Sequence, residues 1–194
     1  MEQRTARVQR QTKETDVRLE LNLDGVGRYE IDTGLGFLDH MLTHLSKHSR
    51  FDLTVKAAGD LDVDAHHTVE DIAICLGQCL AEALGQKKGI ARYGHSSVPM
   101  EDALANVSVD LSGRAACVYN VRYRTDKIGD FDVECIEEML RSFSSNGRFN
   151  LHVNVPYGTN SHHIAEAIFK ALGQALGSAV RIVGSDVPST KGTL

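Results

Sequence analysis

Two histidine pairs, each followed by a glutamate, are the side chains in this sequence best suited to binding a metal ion. The two sets are His66, His67 and Glu70, and His162, His163 and Glu166. Imidazole nitrogen and carboxylate oxygen, without sulfur, are ligands that suit Mn, Fe or Zn. On a helix, residues four apart point the same way, whereas neighbours diverge by about 100°. The first histidine of each pair can therefore share an ion with its glutamate, and the second histidine must serve a different ion.

Both sets lie in an internal repeat. Residues 66–84 and 162–180 agree at 9 of 19 positions when aligned at an offset of 96, whereas unrelated segments would agree at about one. Apolar residues recur at helical spacing in both copies, so each copy is predicted to be a helix that begins with His-His. At an offset of 98, an earlier helix that carries His40 matches residues 133–146, where Glu138 takes the place of His40. With these two added, the repeat offers nitrogen or oxygen donors for two ions.

The duplication also predicts the fold. We expect two similar halves, residues 1–88 and 89–182, packed as one globular unit and followed by a mobile tail at 183–194. Alternating apolar and polar residues predict strands in each half, and helical apolar spacing predicts two helices in each half. The expected fold class is α+β, an internally duplicated two-layer sandwich in which each half is an antiparallel or mixed sheet with two helices.

The strands of the first half are expected to form an antiparallel hairpin. Residues 5–31 alternate apolar and polar side chains, and Asp24-Gly25-Val26-Gly27 has the composition of a hairpin turn. Further strands are predicted at Phe51–Val55, Val107–Leu111 and Ala115–Tyr123.

The overall composition disfavours several classes of protein. No run approaches the ~20 apolar residues that a membrane helix needs, and a net charge of −5 disfavours a nucleic-acid partner. The four cysteines contain no C-x-x-C pair, and we interpret them as small reduced core residues rather than a thiolate metal site. Because the start of the chain lacks the apolar segment of a secretion signal, we expect a cytoplasmic protein.

Seven segments spread along the chain carry a resemblance to a known family. They are Thr12–Thr15, Gly36–Leu42, Asp64–Asp71, Lys88–Gly94, Leu111–Arg114, Ser161–Ala171 and Pro188–Gly192. In content, order and spacing they resemble the imidazoleglycerol-phosphate dehydratases of histidine biosynthesis. The resemblance implies loss of water from imidazole-glycerol phosphate to give imidazole-acetol phosphate at a di-manganese site. It also implies a large homo-oligomer, a 24-mer of octahedral symmetry, whose sites are completed by neighbouring subunits.

The same resemblance divides the metal ligands between two ions. One Mn²⁺ is expected to take His40, His67, His162 and Glu166. The other is expected to take His66, Glu70, His163 and Glu138. Family members often have histidine at position 138, so the second ion in this chain has one carboxylate more than the first.

Further residues match the substrate-binding and catalytic positions of the family. The match places Glu14 at the substrate with no ion to bind, so it is the expected base for the carbon-bound proton. Catalytic roles are assigned to Glu14, Glu70, Glu166 and His48. Phosphate contacts are expected from Arg92, Arg114, Lys170, Ser189 and Lys191, and other substrate contacts from Glu14, His40, His48, His66 and His162. No role is assigned to His44, His95 or His152.

Two other functions remain open from the sequence. A dinuclear metallohydrolase of phosphate esters also uses histidine and carboxylate ligands, and a metal-stabilised assembly protein needs ions only to join its subunits. An assembly protein has no need for Arg92, Arg114 and Lys191 at one site. A hydrolase has no need to recognise imidazole, so these two requirements separate the alternatives.

Overall fold

The structure, a computed structural model, describes residues 4–193. The first three residues of the expected first half and Leu194 of the expected tail lie outside the described residues. Each half has the same order of elements, namely three strands, a helix, a strand and a helix. The second half adds a short two-stranded hairpin before its first helix.

The bounds of the elements show how the helices relate to the histidine pairs. The first half contains β1 (Thr5–Gln11), β2 (Thr15–Asn22), β3 (Tyr29–Asp32), α1 (Gly36–Ser49), β4 (Asp52–Gly59) and α2 (His66–Leu84). The second half contains β5 (Tyr93–Met100), β6 (Ala103–Asp110), β7 (Ala116–Asn120), β8 (Lys127–Ile128), β9 (Phe131–Asp132), α3 (Glu134–Gly147), β10 (Asn150–Tyr157) and α4 (Ser161–Ala179). As predicted, the histidine pairs lie at the starts of α2 and α4: α2 begins at His66, and α4 begins one residue before His162.

Each half is built on one four-stranded sheet of the same topology. The strand order is β1-β2-β4-β3 in the first sheet and β5-β6-β10-β7 in the second. β2 runs antiparallel to both of its neighbours, whereas β3 runs parallel to β4. Parallel pairing requires a crossover connection, which α1 supplies, and α3 does the same for β7 and β10. These mixed sheets, each with two helices, confirm the predicted α+β fold and its duplication.

The helices of the two halves pack against each other between the sheets. α2 lies on β1 and β2 and contacts α3 of the other half, while α4 lies on β5 and β6 and contacts α1. Because α2 and α4 are covered on both sides, their side chains are buried around most of the helix. This burial removes apolar surface from water, which is the dominant favourable contribution to folding.

The close approach of α2 and α3 depends on Gly77. A Cβ atom at this position would lie 2.7 Å from the backbone nitrogen of Gly147 and 2.8 Å from the carbonyl oxygen of Phe143. Gly77→Ala is therefore expected to push the helices apart and to lower the free energy of unfolding by about 1–3 kcal/mol, measured by denaturant titration. The control is Gly36→Ala at the start of α1, where a Cβ would meet nothing within 4 Å. Equal stability of the two variants would contradict this role for Gly77.

The predicted position of the first hairpin turn is wrong. The antiparallel hairpin turns at residues 12–14, between β1 and β2, and not at Asp24–Gly27. The hydroxyl of Thr12 closes this turn by accepting hydrogen bonds from the backbone N–H groups of Glu14 and Thr15. The glycine-containing segment leads instead into β3, which pairs with β4.

The segment after α4 returns to the connection between the halves. Ile182 forms an isolated antiparallel bridge with Ile90. The N–H groups of Val183 and Gly184 donate to the carbonyl oxygen of Gly89. The start of the expected tail is thus hydrogen-bonded to the stretch of chain that joins α2 to β5.

The state of the cysteines and the character of the helices can be compared with what the composition predicted. All four thiols are free, as predicted, and burial raises the pKa of Cys75 to about 11 and that of Cys79 to about 12. Cys75, Cys79 and Cys135 are buried as core residues, whereas Cys117 is only partly buried. Within residues 4–193, no helix combines the length and apolar character required to span a bilayer.

Candidate metal centre

In both helices that carry a histidine pair, the N–H of the first histidine donates to the side chain two residues before it. Oδ1 of Asp64 accepts from the N–H of His66 at 2.7 Å, and Oδ1 of Asn160 accepts from the N–H of His162 at 2.9 Å. Asp and Asn favour such positions because their side chains satisfy the N–H groups left free at a helix start. In α4 this residue, Asn160, is the N-cap, whereas in α2 the N-cap is Ala65 and Asp64 lies one residue further out.

His40, His162 and Glu166 bring their donor atoms together where α1 and α4 meet. Oε2 of Glu166 lies 3.2 Å from Nε2 of His40 and 3.1 Å from Nε2 of His162. In the part of the chain that the structure describes, this is the only group of three or more His, Cys, Asp or Glu donors within 4.8 Å of one another. We call these three residues the triad. It joins a histidine of the first half to a histidine and a glutamate of the second.

The negative charge of Glu166 is stabilised by the ammonium group of Lys170 as well as by the neighbouring imidazoles. Its side chain is 8% exposed, and Nζ of Lys170 donates to its Oε1 at 2.6 Å. Burial alone would raise the pKa of Glu166, but the hydrogen bond from Lys170 and the nearby His44 and His40 lower it to about 2. Glu166 is therefore ionised at neutral pH, which is the form that binds a metal ion.

His44 and His48 extend the triad along α1. Nε2 of His44 lies 3.4 Å from Oε1 of Glu166 and 3.3 Å from Nε2 of His40. The ring of His44 stacks on that of His48 with centroids 5.8 Å apart. Burial lowers the pKa of His44 to about 4, so this ring is neutral at pH 7. His44 was not predicted to belong to the site, although its spacing of four residues from His40 and from His48 places all three on one helix face.

The second histidine of each pair is not part of the triad and donates to a carboxylate elsewhere. Nδ1 of His67 lies 3.0 Å from Oδ2 of Asp60 and 3.8 Å from Oε2 of Glu14. The hydrogen bond to Asp60 raises the pKa of His67. Nδ1 of His163 donates to Oδ1 of Asp102 at 2.6 Å. Asp60 and Asp102 are not among the site residues predicted from the sequence.

Three donors expected at the second ion do not meet within one chain. Among residues 4–193, no hydrogen bond or ion pair joins His66, Glu70 and Glu138 to one another. Oε1 of Glu138 accepts from the hydroxyl of Ser142 at 3.2 Å. In the internal repeat, these three residues correspond to the triad. The donor atoms therefore lie close together in one copy of the repeat and not in the other.

The expected phosphate ligands are distributed over separate parts of the structure. Nε of Arg92 donates to Asp110 at 2.7 Å, and its Nη1 donates to the carbonyl oxygen of Pro188 at 2.8 Å. Arg92 therefore fixes the chain just before the expected phosphate ligands of the tail. Lys170 lies at the triad, and Arg114 is exposed after β6.

A cavity of about 510 Å³ opens beside the triad. Its apolar walls come from the start of α1 and from the β8–β9 hairpin, and its lining includes Leu35, Phe37, Ile128, Phe131, His40 and His162. The ring of Phe37 packs edge-on against that of His162 with centroids 5.4 Å apart. Apolar walls with a few convergent polar groups are typical of a site for a small molecule.

The donor set of the triad fits a manganese ion. Two imidazole nitrogens and one carboxylate oxygen are ligand types that Mn²⁺ accepts. Their mutual separations of at most 4.8 Å allow one ion to bind all three. Three ligands from one chain leave coordination positions for a substrate and for a further histidine.

Similarity to known sequences extends over almost the whole chain. The family model described as imidazoleglycerol-phosphate dehydratase matches residues 33–176. The imidazoleglycerol-phosphate dehydratase of Desulforudis audaxviator (strain MP104C) is 57% identical over 192 residues, which are 98% of each chain. That of Pelotomaculum thermopropionicum is 52% identical over 195 residues, and the match covers 100% of both chains.

Solved structures are similar over the same extent. The crystal structure of imidazoleglycerol-phosphate dehydratase from Staphylococcus aureus subsp. aureus N315 matches with a TM-score of 0.84 and 39% identity, covering 92% of this chain and 99% of that one. The enzyme from Pyrococcus furiosus matches with a TM-score of 0.85 and 38% identity, covering 96% and 100%. From the matched family model and the extent of these similarities, the chain belongs to the imidazoleglycerol-phosphate dehydratase family.

Proposed function

We propose that this hydro-lyase of histidine biosynthesis dehydrates imidazole-glycerol phosphate at a di-manganese site. The observation that carries the proposal is the convergence of His40, His162 and Glu166 beside a cavity. Two imidazoles and an ionised carboxylate hold a divalent ion and leave coordination positions free for the substrate.

Two ions per site account for both histidine pairs. The triad together with His67 of a neighbouring subunit would hold one ion. His66, Glu70 and Glu138 together with His163 of a neighbouring subunit would hold the other. In support, the second histidine of each pair lies outside the triad of its own chain. Bound Mn²⁺ supplies Lewis-acid polarisation of the substrate imidazole and hydroxyl.

Glu14 is the proposed base for the carbon-bound proton. Its side chain is 56% exposed, and its backbone is fixed by the Thr12 hydroxyl and by the N–H of Asp60, which donates to its carbonyl oxygen at 3.1 Å. The carboxylate takes the proton, the C–H electron pair becomes the double bond of an enol, and hydroxide leaves to be protonated to water. Proton transfer then converts the enol to the keto product.

Cationic and hydroxyl side chains are the proposed phosphate ligands. Lys170 lies one helical turn beyond Glu166 and is already directed at the triad. Arg92 holds the carbonyl oxygen of Pro188 and so positions the segment that carries Ser189 and Lys191. Arginine and lysine suit this role because their N–H groups make charge-assisted hydrogen bonds to phosphate oxygens.

The function is tested by metal analysis of the purified protein followed by an assay of keto-product formation. The substrate is imidazole-glycerol phosphate, with metal-free protein and protein restored with Mn²⁺ compared at equal concentration. We expect product formation only with metal. Product formation at an equal rate by protein shown to be free of metal would overturn the di-manganese proposal, whereas hydrolysis of the phosphate ester would favour the metallohydrolase.

Removal of the metal is expected to dissociate the assembly. If each ion takes ligands from two subunits, then chelation breaks contacts between them. Size-exclusion chromatography should show a smaller species after chelation and the large species again after addition of Mn²⁺. An elution volume unchanged by verified removal of the metal would contradict sites shared between subunits.

A further inference from the structure

The two halves place carboxylates differently around the second histidine of each pair. Glu14 immediately precedes β2, and Asp102 immediately precedes β6, so these two positions are equivalent in the repeat. Asp60 follows β4, whereas Gly158 follows β10 at the equivalent place. A Cβ at position 158 would lie 2.7 Å from Cγ1 of Ile164, so a side chain has no room there. The first half thus has two carboxylates where the second has one.

In the second half, Asp102 is fully engaged. Its Oδ1 accepts from Nδ1 of His163 at 2.6 Å. Its Oδ2 accepts from the N–H and hydroxyl of Thr159, each at 2.5 Å, and from the N–H of Asn160 at 3.0 Å. An ionised carboxylate can only accept hydrogen bonds. The proton of a neutral His163 ring therefore lies on Nδ1, and Nε2 keeps a free lone pair.

In the first half, Asp60 makes the equivalent contact. Nδ1 of His67 lies 3.0 Å from Oδ2 of Asp60, which is hydrogen-bond distance, but 3.8 Å from Glu14, which is too long for one. Glu14, the repeat equivalent of the engaged Asp102, is therefore left without a hydrogen bond to histidine. The two carboxylates of this half have separate tasks.

We infer that Asp102 and Asp60 are positioning residues that fix the tautomer and direction of His163 and His67 for metal binding, and that Asp60 thereby leaves Glu14 free as the base. This inference rests on the proposed metal site. A carboxylate that accepts from the other ring nitrogen of a ligand histidine fixes the ring and raises its basicity. Loss of such a partner typically costs about 10- to 100-fold in metal affinity or activity.

Asp102→Asn is the sharpest test in the second half. The donors on Thr159 and Asn160 keep the amide oxygen on their side, so the NH₂ group faces Nδ1 of His163 and moves the ring proton to Nε2. We expect Mn²⁺ affinity to fall by about 10- to 100-fold, measured by titration with detection of free Mn²⁺ by electron paramagnetic resonance. Thr159→Val is the control, because it removes a donor to Asp102 but leaves the bond to His163. It should bind Mn²⁺ like the wild type.

Asp60→Ala tests the first half and does not touch the loop before α4, so it remains informative if the Asp102 variant fails to fold. Nδ1 of His67 is then left with Glu14 as its nearest carboxylate. If Glu14 then accepts the hydrogen bond from His67, it is no longer free to act as the base, and turnover is expected to fall by at least about tenfold. The loss of Mn²⁺ affinity should be smaller than that caused by Asp102→Asn.

Unchanged Mn²⁺ affinity in Asp102→Asn would overturn the role of Asp102, and wild-type turnover in Asp60→Ala would overturn that of Asp60. Absence of Mn²⁺ binding by the wild-type protein is a different result. It would contradict the proposed function itself, and this inference with it.

Discussion

Glu166→Gln is expected to abolish Mn²⁺ binding at the triad and turnover with it. Glutamine keeps the size of the side chain but removes the charge that His40, His162 and Lys170 surround. Loss of a group that only supports a metal ligand costs about 10- to 100-fold, so loss of the ligand itself should lower turnover by more than that. The measurements are bound manganese by elemental analysis and the rate of keto-product formation.

The matched control is Glu137→Gln. Glu137 is a half-exposed helical glutamate paired with Arg141 at 2.6 Å, four residues along α3. Surface pairs of this kind contribute little to stability, so this variant should keep wild-type metal content and activity. Normal manganese content and turnover in Glu166→Gln would exclude the triad as a metal site.

The second large effect is expected from Glu14→Gln, which should lower kcat by about 10²- to 10⁴-fold, the usual contribution of a positioned general base. Glutamine cannot take up the carbon-bound proton. Because Glu14 lies outside the triad, manganese content should stay at the wild-type value. The rate is measured at saturating substrate, so that a change in binding does not hide the change in chemistry.

Glu20→Gln is the control for Glu14. Glu20 also lies on the β1–β2 hairpin, on β2, and pairs with Arg7 at 2.8 Å on the surface. It should retain the wild-type kcat. A Glu14→Gln protein that has lost its manganese would show Glu14 to be a metal ligand, and one with the wild-type kcat would exclude it from proton transfer.

The helices of this fold could be predicted from the sequence because each helical segment of the first half has a similar segment in the second half. α3 begins within one residue of the predicted 133–146, α2 begins at His66, and α4 begins one residue before His162. The triad follows in part from the same signal, since His162 and Glu166 are four residues apart on one helix. That His40 joins His162 and Glu166 was implied by the resemblance to the family and not by spacing, because His40 lies on a helix of the other half.

The first hairpin could not be located from turn composition. Thr12-Lys13-Glu14 contains none of the Gly, Asn or Pro residues that mark turns, because a threonine hydroxyl closes this turn instead. Asp24–Gly27 has such residues, but it folds around Asp52. The Asp52 carboxylate accepts from the N–H groups of Val26 and Arg28, each at 2.9 Å.

The carboxylates that accept hydrogen bonds from the second histidine of each pair could not be predicted from spacing along the sequence. Asp102 is 61 residues from His163, and only the folding of the β5–β6 turn beside the start of α4 brings them together. One signal existed, because Asp102 takes the repeat position of Glu14. Asp60 had no such signal, since its own repeat position is Gly158.

The helices that pack across the two halves make each half depend on the other for burial of its apolar surface. A single half in water would expose the surfaces of α1 and α2 that now touch α4 and α3, and apolar surface of this kind favours association. The two halves of one polypeptide therefore take the place that the two subunits of a symmetric dimer would take. Unlike the subunits of a homodimer, the halves need not be identical, and residue 138 is Glu where its repeat equivalent is His40.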